Sequence, residues 1–230
     1  TTRGASPSDG SSSSSTRGAA SSPRPMATIC CSPPDSCQPD CNGNGVPDFL
    51  DVSGGTSFDF NHNSIPDECE TPGTVHVNPT SALGCDGSLQ SPFQTLREAV
   101  RASVSGSEIV LADGIYDSAD DRMIELSSRA LTIRRTGGPG ACTIDISGDG
   151  RAFRSIDATA DRGLVLTGIR FLNGDVTGLT GVTGADEGGA LFVRGGKVSI
   201  ENCVFESNAA NAGGALSLRD TMSQLEDCVF

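Results

Sequence analysis

The run GGALFVRGGKVSIENCVF, from Gly188 to Phe205, returns at a shift of 25 residues as GGALSLRDTMSQLEDCVF, from Gly213 to Phe230, with nine of 18 positions identical. A period of this length holding three short strands constrains the fold strongly. So small a unit cannot bury its own apolar face and must stack on its copies. Upstream, LTGIRF (Leu166 to Phe171) matches IENCVF (Ile200 to Phe205) at a shift of 34, one period plus a nine-residue insertion. The Thr/Gly-rich DVTGLTGVTGA, from Asp175 to Ala185, is a loop of suitable size. Stacking then predicts columns of like residues: Phe171, Phe205 and Phe230 in one, Ile169, Cys203 and Cys228 in another. An isoleucine shares the cysteine column, so these thiols are expected to face the core.

From Thr74 onward the chain reads as short apolar runs broken by Gly and Asp turns: TVHV, EIVLADGIY, MIEL, LTIRR, CTIDIS, LVLTGIRF, GALFV, KVSIENCVF and GALSL. Such runs predict an all-β protein. SPFQTLREAVRAS interrupts them as a helix, with Ser91 as cap, Pro92 in the first helical position, Gln94 completing a capping box, and Phe93, Leu96 and Val100 as its apolar face.

Ser91 to Tyr116 resembles the opening of right-handed β-helix domains of the pectin-lyase-like superfamily, in which a short amphipathic helix plugs the first coil. The repeated GGAL, with CVFESNAA from Cys203 to Ala210, is similar to the repeats of polymorphic outer-membrane proteins. The resemblance covers residues 74 to 230 and implies a right-handed parallel β-helix with an N-terminal capping helix. That architecture hosts lyases, hydrolases and adhesins alike, so it does not choose a function.

A second repeat lies nearer the start. DCNGNGVPDFLD, from Asp40 to Asp51, is followed nineteen residues later by DFNHNSIPDECE, from Asp59 to Glu70. Calcium takes six to eight oxygen ligands, and a 12-residue loop supplies them from positions 1, 3, 5, 7 (through a carbonyl), 9 and 12. The first copy offers Asp40, Asn42, Asn44, the Val46 carbonyl, Asp48 and Asp51. The second offers Asp59, Asn61, Asn63, the Ile65 carbonyl, Asp67 and Glu70. Pro47 and Pro66 are expected to stiffen each loop exit and to keep a long helix from starting there. The pair resembles dockerin calcium loops and thrombospondin type 3 repeats. Against those patterns Asn replaces Asp at positions 3 and 5, and Ser64 stands where Gly belongs, implying affinities of about 10⁻⁴ to 10⁻³ M. One cysteine in each loop suggests a Cys41–Cys69 bridge that clasps the pair.

Formal net charge is −13 with one lysine, Lys197, which argues against binding nucleic acid through phosphates. No Lys or Arg falls between Arg24 and Arg97, the stretch that holds the acidic doublet. Nine cysteines without C-x-x-C pairs favour an oxidising compartment over zinc. The odd number leaves a free thiol or an external partner. No apolar run reaches the length of a membrane span. Residues 1 to 39 are rich in Ser, Pro and Gly and are expected to be a disordered linker, with vicinal Cys30 and Cys31 followed by Cys37. The start lacks an initiator Met and a signal segment, and Phe230 falls in mid-strand, so a removed signal or missing N-terminal sequence, and further coils beyond Phe230, are expected.

Three regions result: a linker over 1–39, tandem calcium loops over 40–70 and the β-helix over 74–230. A lyase face would need acidic ligands and a basic proton acceptor together. Asp145, Asp157, Arg134, Arg151 and Arg154 are the candidates, and no spacing singles one out. His62 and His76 read as ordinary surface residues. The expected function is that of an extracellular calcium-binding surface module whose partner is a polysaccharide or a surface protein. The alternative is the N-terminal part of a polysaccharide lyase or hydrolase.

Overall fold

The computed structural model describes residues 28–30, 37–59, 62–126, 129–137, 141–156 and 163–230. Of the segment expected as a linker, only two strands fall within it, β1 (Thr28–Cys30) and β2 (Cys37–Pro39), and these pair antiparallel. Two short helices follow, α1 (Asp48–Gly54) and α2 (Leu96–Arg101), with β3 (Thr74–Val77) between them. The rest is β. The strands are β4 (Glu108–Leu111), β5 (Gly114–Tyr116), β6 (Ile124–Glu125), β7 (Thr132–Arg135), β8 (Cys142–Asp145) and β9 (Phe153–Ile156). They continue as β10 (Leu164–Thr167), β11 (Ile169–Leu172), β12 (Leu191–Arg194), β13 (Lys197–Glu201), β14 (Val204–Glu206), β15 (Leu216–Arg219) and β16 (Met222–Glu226).

From β4 onward, successive strands are dealt in rotation to three parallel sheets. The first runs β16-β13-β10-β7-β4-β3, the second β14-β11-β8-β5 and the third β15-β12-β9-β6. Each circuit of the chain adds one strand to every sheet. Register follows the repeat: Leu191 pairs Leu216 and Lys197 pairs Met222, while Leu166 pairs Ile200 and Phe171 pairs Phe205. Asp175 bridges to Ala209 and Glu187 to Ala212, so nine extra residues are extruded between those two points. The loop read from Asp175 to Ala185 therefore stands off the sheets, as its composition implied.

Alternate residues on each strand point inward and form the expected columns. Ile109, Ile133, Leu166 and Ile200 stack fully buried in the first sheet. Phe171 and Phe205 lie with centroids 5.1 Å apart, as do Phe205 and Phe230. Cys142, Ile169, Cys203 and Cys228 share the neighbouring column, with Cys142 and Cys203 buried and Cys228 half-buried, all as thiols. The corner between the first and second sheets needs positive φ in successive circuits. Gly168, Asn202 and Asp227 fill it at φ 74°, 52° and 49°. Glycine, Asn and Asp are the residues that tolerate this conformation. The doubled glycine of the repeat has a different cause, because a Cβ on Gly189 would lie 2.5 Å from the Ala209 carbonyl oxygen of the adjoining circuit.

The helix starts later than its sequence suggests. Thr95 is the N-cap, with Glu98 closing a reciprocal capping box. Phe93 bridges to Val77, its N–H donating to the His76 carbonyl, so the stretch read as the first turn is spent on β3. Leu96, Ala99 and Val100 are buried in the same cluster as Ile109, Leu111 and Tyr116 of the first circuit. Buried Arg129 donates to the Val100 and Ser103 carbonyls at the end of the helix. Among the described residues no helix is long and apolar enough to cross a membrane.

Two expectations follow from this core. Burial pushes the Cys142 thiol up to about 12 and the Cys203 thiol to about 11, so neither forms a thiolate at neutral pH. Alkylation of the native protein followed by peptide mapping should label Cys85 and spare these two; equal labelling of all three would contradict the inward column. Ser155 is buried opposite Val193, and its hydroxyl has no hydrogen-bond partner among the described residues. Ser155→Ala should therefore stabilise the protein by about 1 kcal/mol in denaturant titration, since it removes an unpaired buried hydroxyl.

Candidate metal centre

The twelve-residue pattern folds in much the same way twice, with one difference in the first turn. In the first loop the Asp40 carboxylate accepts the Gly43 and Gly45 N–H groups at 2.9 and 3.1 Å, and in the second Asp59 accepts those of Asn63 and Ser64 at 3.0 and 2.8 Å. The fifth-place amide oxygen then accepts the seventh-place N–H, Asn44 from Val46 at 2.7 Å and Asn63 from Ile65 at 2.8 Å. Its nitrogen donates to the twelfth-place acid, Asn44 to Asp51 at 2.9 Å and Asn63 to Glu70 at 2.7 Å. Backbone angles repeat as well. Positive φ falls at the fourth and sixth places of both, in Gly43 (71°) and Gly45 (90°), then in His62 (59°) and Ser64 (67°).

Pro47 starts only a short helix, not the long one it was expected to prevent. Its carbonyl accepts from Leu50 and Asp51, and the residue is the N-cap of α1. The helix is short because the chain turns left-handed at Gly55, φ 71°. After Pro66 only a single 3₁₀ turn forms, Asp67–Cys69. Cys41 and Cys69 are joined as a disulfide, clasping the two loops. Because both are oxidised, their nearness to Asp48 supplies no thiolate ligand.

Electrostatically the two loops differ. Asp40, Asp48 and Asp51 are only 3%, 6% and 1% exposed, whereas Asp59, Asp67 and Glu70 are half-buried. Asn61 lies outside the described residues. Among the described residues no ion pair involves the three buried acids; Asp51 is balanced by amides and a hydroxyl, from Asn42, Asn44 and Thr56. The Asn44 hydrogen bonds, with those of Thr56 and Asn42, hold Asp51 below the usual carboxylate range against its burial. Three carboxylates buried within one loop without a counter-cation cost free energy. Oxygen donors of this kind suit a hard divalent cation, although among the described residues no three of the carboxylates bring ligand atoms within 4.8 Å of one another. Known proteins offer no guide beyond this. No family model, curated protein or solved structure matches the chain.

Of the residues weighed as a catalytic face, Arg151 and Arg154 line one pocket with Glu125, and the other described ones lie on different sheets. Arg134 pairs with Glu108 on the first sheet, Asp145 belongs to the second, and Arg154 pairs with Glu125 on the third. Arg151 is 1% exposed and donates to the Glu187, Gly184 and Ala185 carbonyls, holding the extruded loop rather than facing solvent. Asp157 lies outside the described residues. Glu68 was missed by the spacing pattern. It stands at the tenth place, yet its carboxylate reaches Asn42 of the other loop at 3.2 Å.

Ser64 gives a direct test of the loop backbone. A serine at φ 67° carries strain that glycine does not. Ser64→Gly should stabilise the protein by up to about 1 kcal/mol, and by more in the presence of calcium than in its absence, as read from thermal melts; a destabilised variant would show that the left-handed turn is not populated.

Proposed function

We propose that this chain is an extracellular calcium-binding β-helix protein. In this reading the loop pair is a metal-stiffened junction at the base of a stack that presents its outer faces to a polysaccharide or a surface protein. The observation that carries it is the burial of Asp40, Asp48 and Asp51 in one twelve-residue loop, with no cationic side chain among the described residues paired to them. Asp40, Asn42, Asn44, the Val46 carbonyl, Asp48 and Asp51 would hold one ion. Asp59, Asn61, Asn63, the Ile65 carbonyl, Asp67 and Glu70 would hold another. Calcium would replace the Asn42 and Asn44 amide protons as the main counter-charge to Asp51.

The rotation of strands through three parallel sheets supports reading the larger part as a right-handed parallel β-helix of the pectin-lyase-like kind. Proximity of the two parts supports the junction. Burial pulls the Arg129 guanidinium down, while the fields of Asp67 and Glu125 push it up, so the ninth-place acid of the second loop lies close to the group that caps α2. The disulfide is compatible with an oxidising, extracellular setting.

Calorimetric titration with calcium, of the chain and of a variant carrying Asp40→Ala and Asp59→Ala, tests the reading. Saturable binding with dissociation constants of about 10⁻⁴ to 10⁻³ M, lost in the variant, is expected. The absence of heat at millimolar calcium would reduce the doublet to an acidic, disulfide-clasped turn.

A further inference from the structure

We propose that the recess beneath the extruded loop is a binding site for a small organic carboxylate with an apolar body, and that Glu125 occupies the carboxylate's place until one arrives. The inference is independent of the calcium reading. It starts from the direction in which the residues of the third sheet face. Leu191 and Val193 belong to the core of the stack, so Phe192 between them points outward, as do its ladder neighbour Arg154 and, one circuit earlier, Glu125. Phe192 is nonetheless fully buried, because the extruded loop lies over it so closely that a Cβ on Gly184 would collide with its ring.

The loop does not close on the sheet everywhere. A cavity of about 360 Å³ remains between Met123, Glu125, Arg151 and Arg154 on the side of the stack and Leu179 and Val182 on the side of the loop. Its shape is held by polar contacts. Arg151 donates to the Gly184, Ala185 and Glu187 carbonyls, and Arg154 Nη2 donates to the Thr183 carbonyl at 3.2 Å, so the returning arm of the loop is pinned beside the cavity. Met123, Leu179 and Val182 bring exposed apolar side chains to this one place. A recess with apolar walls and a few convergent polar groups is the usual form of a small-molecule site.

The polar groups decide the class of ligand. Burial pulls the Arg151 guanidinium down, and the neighbouring charge of Arg154 pulls it further. The Nε groups of both arginines are buried without a hydrogen-bond partner among the described residues. Two guanidiniums this close, with donor capacity left over, favour an anion. Glu125 already plays that part, accepting from Arg154 Nη1 at 2.5 Å. The side chains of Arg154 and Glu125 are 22% and 48% exposed, so their pair stands at the mouth of the cavity. An ion pair open to solvent contributes little to stability, and a second carboxylate can displace Glu125 at small cost. The apolar body attached to that carboxylate would then cover Met123, Leu179 and Val182. Acetate would leave those walls wet, and a neutral apolar molecule would leave Arg154 with Glu125.

Titration of the full chain with sodium phenylacetate, followed by proton–nitrogen NMR, tests this. Shifts confined to β6, β9 and the loop between Asp175 and Glu187 are expected to saturate in the millimolar range, the scale for so small a ligand. Acetate and phenylacetamide at the same concentrations should not saturate. Glu125→Gln, which frees Arg154 from its internal partner, should tighten phenylacetate binding by about three- to ten-fold. Arg154→Gln should weaken it by about ten-fold or more. Val182→Asp, at an exposed position of the loop, should abolish saturation and guards against misfolding of the arginine variant. Ile115→Asp, equally exposed on the second sheet, should bind as wild type does. Shifts that never saturate in wild type, or binding by Val182→Asp that matches Ile115→Asp, would overturn the site. Weaker binding by Glu125→Gln would overturn the displacement of Glu125.

Discussion

Parallel pairing at a constant register is the constraint on which most of this molecule depends. Once Leu166 lies beside Ile200 and Ile200 beside Leu225, every inward position of a strand inherits the surroundings of its neighbour in the next circuit. Like residues therefore stack on like, and the stacked phenylalanine pairs at 5.1 Å are a direct result. The same rule limits where the chain can vary. Extra residues cannot enter a strand without moving every later side chain to the wrong face, so the nine added residues leave the sheets between Asp175 and Glu187. Arg151 makes that detour tolerable by spending its buried guanidinium on three loop carbonyls and stacking over Phe192.

What could be read from the sequence follows from where the information is local or repeated. The shifts of 25 and 34 residues are themselves the pairing register, so the Phe and Cys columns were legible before any coordinates. β9 was not. Its inward residues are Phe153 and Ser155, its outward ones include Arg154, and its place in the third sheet is fixed by pairing with β12, 38 residues onward, where no repeated sequence marks the partner. The start of α2 was misplaced because Ser91, Pro92 and Gln94 carry a convincing local signal. Tertiary pairing of Phe93 with Val77 took precedence, and Thr95 with Glu98 made the cap instead.

The loop pair divides along the same line. Its local turns were legible because each loop organises itself through hydrogen bonds spanning two to seven residues. Glu68 was illegible because its contact with Asn42 crosses 26 residues and depends on a disulfide between the loops. A pattern of ligand spacing describes one loop at a time and cannot show what a neighbouring loop contributes.

The two parts of the molecule are held together by different physics. The stack buries aliphatic and aromatic side chains along most of its length, up to β14, while β16 is exposed. Between Asp40 and Glu70 the pattern is reversed: Phe49, Leu50 and Phe58 are exposed, while Asp40, Asp48 and Asp51 are buried. A segment this small without an apolar core needs staples. The Cys41–Cys69 bridge, spanning 28 residues, is one and is worth about 3 to 4 kcal/mol through the loop it closes in the unfolded chain. Repulsion among three buried carboxylates works against it. The proposed cation would turn that repulsion into attraction, which makes it the second staple and explains why the acids, rather than the aromatics, occupy the interior. Heat and denaturant act on the stack through its apolar area, whereas a reductant acts on the loop pair through its disulfide, so the two parts can lose order separately.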